Sequence, residues 1–259
     1  MIRLTTAETT AHTSPNAGIK AMILAAGRGE RMRPLTDSCP KPLLKVQGQA
    51  LIDWHVDALA RGGVTGLVIN TAWLGEQISS HLGLLRKQHG REQLSFSYSH
   101  EGDDFGYALE TAGGIARALP LLGDVFWLLA ADVFVPGFEF SPAAVSRFLA
   151  SDKLAHLWLV PNPAHNPRGD FGLSADGLAL NLPPESAAPR YTYSTIGLYR
   201  RALFDALPLG NPQGRAVALA PLLRLAMDQQ QVSAELYAGA WTDVGTPARL
   251  AELNQPLSN

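Results

Sequence analysis

The chain has 259 residues, enough for one large α/β domain or two small ones, and its 46% hydrophobic content is sufficient to bury a core. Its 21 Lys and Arg against 23 Asp and Glu leave no field to attract nucleic acid over distance, so an anionic ligand must be met by locally placed charges. The lone cysteine, Cys39, excludes an intramolecular disulfide, and no apolar run reaches the roughly 20 residues of a membrane-spanning helix, so a cytoplasmic location with neither membrane nor nucleic acid as partner is expected.

Residues 1–18 are rich in Thr, Ala and Ser and lack the continuous apolar stretch of a secretory signal, which predicts a flexible extension before a single domain over residues 19–259. Apolar runs of strand length follow at Ala21–Ala25, Gly66–Asn70, Leu94–Tyr98, Val125–Ala130 and Leu157–Val160. Between them, Ile52, His55, Val56, Leu59 and Ala60 share one helix face ahead of the stop signal Gly62 and Gly63. Thr111–Leu119 and Pro142–Ala150 repeat the arrangement. Strand and helix alternate as in an α/β doubly wound fold with a mainly parallel central sheet, which binds ligands at strand carboxyl ends. After Asn162 come shorter β segments at Phe171–Leu173, Leu178–Asn181 and Tyr191–Tyr199. They predict a smaller mixed sheet over the cleft. A helix over Val217–Gln229, a strand over Val232–Tyr237 and a helix from Pro247 complete the chain.

The densest chemistry follows the first strand: Ala25-Ala26-Gly27-Arg28-Gly29-Glu30-Arg31-Met32-Arg33-Pro34, then Pro40-Lys41-Pro42-Leu43. Gly27 and Gly29 let the backbone approach a ligand closely, so that successive N–H groups can cradle phosphate oxygens. Arg28, Arg31 and Arg33 with Lys41 supply fixed positive charge for a triphosphate and a departing pyrophosphate, and Arg31 and Lys41 are the first choices for catalysis. A dinucleotide-binding loop fits poorly, because Met32 stands where the third glycine of G-x-G-x-x-G would be. A P-loop fails for want of Gly-Lys-Ser/Thr.

Two aspartates end short β runs, Asp132 in Leu128-Leu129-Ala130-Ala131-Asp132 and Asp243 in Trp241-Thr242-Asp243-Val244-Gly245. Magnesium is commonly held by one or two carboxylates plus substrate phosphates, so this pair suffices as a Mg2+ site. No Cys or His arrangement suggests a covalent mechanism. Gly113 and Gly114, in Leu109-Glu110-Thr111-Ala112-Gly113-Gly114, leave room for a flat base or mark a tight turn with a cap. Trp73 is either a residue of the cleft mouth or simple packing. The polar stretch Asn162–Phe171 reads as a recognition loop: Asp170 can accept from sugar hydroxyls and Arg168 can meet a carboxylate or phosphate. Thr195 and Gly197 lie on a neighbouring strand that could line the same pocket.

In order and spacing, Gly27, Gly29, Arg31, Pro34-Leu35-Thr36 and Pro40-Lys41-Pro42-Leu43 resemble the signature of the sugar nucleotidyltransferase family. The resemblance implies Mg2+-dependent joining of a sugar 1-phosphate to a nucleoside triphosphate with release of pyrophosphate. It assigns Ala25 to Gly29 to the nucleotide, Arg31 and Lys41 to the phosphates, Asp132 and Asp243 to the ion, and Gly113 with Gly114 to the base. Ala131 departs from the pattern, which has Gly beside the first metal aspartate. The further run of Asn-Thr-Ala-Trp-Leu-Gly, Gly-Asp-Phe and Trp-Thr-Asp-Val-Gly-Thr is similar to the branch that uridylylates N-acetylmuramic acid 1-phosphate from UTP in bacterial peptidoglycan recycling. A different nucleotide (dTTP, GTP, CTP) or sugar (glucose, mannose) stays open, as does a catalytically silent nucleotide-sugar sensor.

Overall fold

The structure is a computed structural model describing residue 16, residues 18–87 and residues 91–255. In chain order the elements are β1 (Lys20–Leu24), β2 (Lys45–Val46), β3 (Gln49–Ala50), α1 (Leu51–Arg61), β4 (Gly66–Thr71), α2 (Gly75–Lys87), β5 (Ser95–His100), α3 (Glu101–Phe105), α4 (Glu110–Ala118), β6 (Val125–Ala130), β7 (Val133–Phe134), α5 (Pro142–Ala150), β8 (Ala155–Val160), β9 (Phe171–Leu173), β10 (Ala179–Leu180), β11 (Arg190–Arg200), α6 (Leu219–Asp228), β12 (Val232–Leu236), β13 (Thr242–Asp243) and α7 (Pro247–Leu253). The extension expected over residues 1–18 lies outside the described residues except for Asn16 and Gly18. Asn16 is buried, and its amide donates to the carbonyls of Gly62 at 2.5 Å and Phe140 at 2.9 Å.

A nine-stranded sheet runs β10-β9-β11-β6-β1-β4-β5, with β8 on β11 and β12 on β8. The β1–β4, β1–β6, β4–β5 and β8–β12 pairs are parallel, and β11 runs antiparallel to both β6 and β8. The smaller sheet expected after Asn162 is the antiparallel set β10-β9-β11. It is continuous with the main sheet because β11 is long enough to pair β9 through Arg190 and Tyr191 and β6 through Gly197 to Arg200.

Strand residues alternate between two cores, as their period of two requires. Ala21, Ile23, Trp127 and Leu129 face one, where α1 and α5 pack through Ile52, Val56, Leu59, Val145 and Phe148. Met22, Phe126 and Leu128 face the other, closed by Ile115 of α4 and Leu223 of α6. Both faces being covered explains why β1 and β6 read as unbroken apolar runs. Trp127 is fully buried and meets Phe140 edge-on at 5.1 Å and Trp158 at 5.1 Å between ring centroids. Burying one such ring contributes about 2–3 kcal/mol, which holds β6, and the carboxylate at its end, in place.

Candidate active site

The cleft lies at the carboxyl ends of β1, β4 and β6. The loop after β1 is stapled from several sides. The Ala25 N–H donates to Asn70 Oδ1 at 2.8 Å, Asn70 Nδ2 donates to Glu101 Oε1 at 2.7 Å, and Glu101 Oε2 accepts the Leu109 N–H at 2.7 Å. Glu101 is fully buried, and burial pushes its carboxyl above the usual carboxylate range while these donors pull it back. The chain of bonds ties the loop, β4 and the start of α4 into one frame. Reading the sequence did not single out Asn70 or Glu101, because each is an ordinary strand-end residue until the sheet brings them together.

Within the loop, no hydrogen bond among the described residues uses the N–H groups of Ala26, Gly27 or Arg28. A Cβ at Gly27 would meet nothing within 4 Å, so the space over the loop is open to a ligand. Gly29 has φ 70°, a left-handed conformation that sends the chain into the turn carrying Arg31. The three arginines then divide. Arg28 Nη1 donates to the Thr36 carbonyl at 2.8 Å, pairs with Asp37 at 3.0 Å, and lies 3.9 Å over the Trp73 ring. Trp73 is therefore packing for the loop, its indole also donating to Thr36 O at 2.9 Å. Arg33 pairs with Asp37 at 2.8 Å and Glu30 at 3.6 Å. Arg31 is exposed, has no ion pair among the described residues, and lines a cavity of about 230 Å³ with Gly27, Gly29, Lys41, Asp132 and Gly245.

Lys41 is nearly buried and its ammonium lies 2.5 Å from Asp132 Oδ2. Asp132 follows β6 by two residues; between them Ala131 is 1% exposed and its N–H donates to Leu24 O at 2.9 Å, prolonging the β1–β6 ladder. The Cβ that replaces the expected glycine packs into the core. Asp243 arrives from the far end of the chain: β13 pairs antiparallel with β7, setting Asp243 against Val133, and the Val244 N–H donates to Asp132 O at 2.8 Å. The ladder brings the backbones of Asp132 and Asp243 together at the rim, with the Asp132 carboxylate on Lys41. His165 lies 2.8 Å from Asp243 Oδ1, and Arg249 bonds the same oxygen. A Cβ at Gly245 would stand 2.8 Å from Arg249 Nη2 and 2.9 Å from Asp243 Oδ2, so glycine is what admits this contact. His165, Gly245 and Arg249 are site residues the sequence reading did not select. Among the described residues no three His, Cys, Asp or Glu cluster as a self-sufficient metal cage, so a cation here would draw the rest of its oxygens from substrate and water. Two hard carboxylates fit Mg2+ on those terms.

A second cavity, about 260 Å³, is lined by Ala25, Ala26, Gly27, Lys41, Asn70 and Asp132, with Glu110 and Thr111 opposite. Gly113 and Gly114 do not line it. A Cβ on Gly113 would collide with the Arg215 carbonyl, and one on Gly114 would stand 2.5 Å from Glu101 Oε1. Their bareness lets α4 seat against the Arg215–Val217 segment and the Glu101 network, and it is Glu110 and Thr111 that face the open space.

A third cavity, about 570 Å³, shares Leu24, Glu110, Thr111 and Ala130 with the second and extends to Asp170, Tyr193 and Thr195. Asp170 accepts the Tyr193 N–H at 2.8 Å and the Asn166 amide at 3.3 Å, which fixes its carboxylate at the wall. Between Tyr193 and Gly197 the β8–β11 register shifts, and Thr195 takes φ 68°, rare for a β-branched residue. This bulge sets Thr195 in the lining of the cavity. Its Oγ1 is buried without a hydrogen-bond partner among the described residues. Gly197 is not at the cavity; a Cβ there would meet the Tyr199 ring at 2.7 Å and His156 O at 2.9 Å, so it is a packing glycine between β6 and β8.

A mainly parallel sheet with a glycine- and arginine-rich loop after β1 and two aspartates at the rim of the cleft is the layout of an α/β nucleotide-handling enzyme. The nucleotidyl transferase family model matches residues 20–259, and the chain belongs to that family. It is 46% identical to the N-acetylmuramate alpha-1-phosphate uridylyltransferase of Neisseria meningitidis serogroup B over 90% of this chain and 96% of that one. It is 32% identical to the protein of the same name from Caulobacter vibrioides, over 90% and 97% respectively. Its fold matches a Bacillus anthracis crystal structure assigned as a glucose-1-phosphate thymidylyltransferase with a TM-score of 0.73, at 21% identity over 91% of this chain and 94% of that one.

Proposed function

We propose that the chain transfers a uridylyl group from UTP to N-acetylmuramic acid 1-phosphate, giving UDP-N-acetylmuramic acid and pyrophosphate, as a cytoplasmic step of peptidoglycan recycling. Likeness along nearly the whole length of two relatives bearing that activity supports the choice of substrates. The observation that carries the chemistry is Arg31, without an ion pair among the described residues, beside the Lys41–Asp132 pair and a loop whose Ala26, Gly27 and Arg28 N–H groups bond to none of those residues.

The N–H groups of Ala26, Gly27 and Arg28 orient the triphosphate, and Arg31 binds the pyrophosphate portion as charge develops on it. Lys41 is held by Pro40 and Pro42 and balances the incoming phosphates from beside Asp132. Asp132 and Asp243 would hold Mg2+, which when bound supplies charge neutralisation between the two substrates' phosphates. A sugar phosphate oxygen attacks the α-phosphorus in line, the α–β bridging bond breaks, and its electron pair leaves with pyrophosphate. No protein nucleophile is needed. Asp170 accepts from sugar hydroxyls at the wall that Tyr193 and Thr195 help to line. No described helix is long and apolar enough to cross a membrane.

The test is pyrophosphate release with each nucleoside triphosphate and each sugar 1-phosphate in turn, with Mg2+ and with chelator. Release with UTP and N-acetylmuramic acid 1-phosphate, abolished by chelator, is expected. Release only with another pair would discard the substrates and keep the mechanism. UTP binding without release from any pair would identify a silent sensor.

A further inference from the structure

Resting on the substrate reading above, we infer that Arg224 is the specificity-determining residue for the sugar, reading the carboxylate of the lactyl ether that distinguishes muramic acid from glucosamine. The largest substrate cavity begins at Leu24 and Ala130, beside the strand ends that carry the phosphate chemistry, and reaches Asp170, Phe171 and Arg224. In a pyranose ring C4 lies across from C1 and C3 is its neighbour, so a substituent on O3 projects outward from the half of the ring away from the 1-phosphate. A sugar whose 1-phosphate sits at the rim carboxylates therefore directs its C3 substituent toward this far end.

Arg224 is the one Lys or Arg among the described residues lining that cavity, and the acidic groups facing it are Glu110 and Asp170. Much of the remaining wall is apolar (Leu128, Leu219, Leu223), so a carboxylate arriving without a cation would be poorly accommodated. The guanidinium is already set. It lies 5.2 Å over the Phe171 ring, and Nη1 donates to Asn181 Oδ1 at 2.8 Å, while Asn181 is held in that orientation by donating to Asp228 at 3.0 Å and 3.2 Å. Arg224 has no carboxylate partner among the described residues. Its Nε and Nη2 edge, the side that grips a carboxylate with two parallel bonds, takes part in no hydrogen bond among those residues. Two other arginines stand nearby, around the adjoining outer cavity. Arg190 is occupied by the carbonyls of Leu182 at 3.0 Å and Pro183 at 2.5 Å, and Arg168 is exposed on the recognition loop.

The experiment measures kcat and KM with UTP and Mg2+ for N-acetylmuramic acid 1-phosphate, its lactyl methyl ester and N-acetylglucosamine 1-phosphate, using the wild-type enzyme and the variants Arg224→Gln, Arg224→Lys and Arg168→Gln. Wild type is expected to prefer the acid over the ester by roughly tenfold to a hundredfold in kcat/KM, carried mainly by KM. Arg224→Gln loses that preference while handling the ester as wild type does, Arg224→Lys recovers part of it, and Arg168→Gln keeps it. An equal loss on acid and ester in Arg224→Gln would assign the residue a structural role and overturn the inference, as would loss of the preference in Arg168→Gln alone. Wild type that turns over acid and ester alike would overturn it without any variant having to fold. Wild type inactive on N-acetylmuramic acid 1-phosphate but active on another sugar phosphate would instead sink the substrate reading, and the inference with it.

Discussion

Replacing Gly113 by Ala separates a glycine kept for packing from one kept for a nucleobase. The new Cβ would fall well inside 3.0 Å of the Arg215 carbonyl and at 3.1 Å from Val217 N, both backbone atoms with no rotamer by which to give way. Relief requires α4 to move from the loop, stretching the bonds from the Ala112 and Gly113 N–H groups to Val217 O at 2.8 Å and 3.0 Å. Overpacking of this kind costs about 1–3 kcal/mol, and two weakened buried hydrogen bonds about 1 kcal/mol each. Alanine's helix preference offsets about 1 kcal/mol of this. The expected net loss is about 2–4 kcal/mol, or a melting temperature lower by roughly 5–15 °C for a domain of this size, read by calorimetry. UTP affinity below the melting range should stay within about threefold of wild type. A variant that melts like wild type but binds UTP at least tenfold more weakly would refute the packing argument and restore a base contact at Gly113.

The same substitution at Gly27 should do the reverse: with nothing within 4 Å of the added methyl, stability holds within about 0.5 kcal/mol, and UTP binding, followed by titration calorimetry, weakens by roughly tenfold or more as the phosphate approach is blocked. Arg31→Ala removes an exposed cation without an ion pair among the described residues, so the melting temperature stays put while kcat/KM drops on the order of a hundredfold; an unchanged rate would remove Arg31 from the mechanism. His55 is buried under β7, and burial lowers its pKa from 6.5 to about 4. Above pH 6.5 the ring is neutral in both states. Between pH 6.5 and 4 only the unfolded chain takes the proton, so stability is lost as pH falls through that window, by about 2 kcal/mol from pH 7 to pH 5. Urea titrations of wild type and His55→Gln at both pH values should show a smaller loss in the variant, and equal losses would mean that His55 is not held neutral.

Much of the scaffold was legible because its signals are local. Val125–Ala130 and Pro142–Ala150 coincide with β6 and α5, and Pro247 starts α7 after the Thr246 cap. The loop after β1 stands out for the same reason, since two glycines, three arginines and a proline-flanked lysine sit within a short stretch. Division of labour among those arginines was not legible. Arg31 stands out in the sequence as a phosphate ligand, but only the positions of Trp73, Thr36 and Asp37 show that Arg28 is a brace for the loop. The glycines show the limit most clearly: Gly113, Gly114 and Gly197 look like ligand-facing residues in a one-dimensional reading, yet the space a Cβ would need is taken by Arg215 O, Glu101 Oε1 and, for Gly197, the Tyr199 ring and His156 O.

By itself the sequence determined the alternation of strands and helices, the glycine- and arginine-rich loop and the acidic residues at strand ends, because each depends on bond geometry and side-chain chemistry within a few residues. Tertiary structure alone decided that β7 and β13 pair and bring the Asp132 and Asp243 backbones together, that Asn70 and Glu101 lock the loop to α4, and that a bulge in β11 sets Thr195 in the lining of the third cavity. Those arrangements rest on hydrogen bonds and packing between distant segments, whose register is set only when the whole sheet closes its two cores.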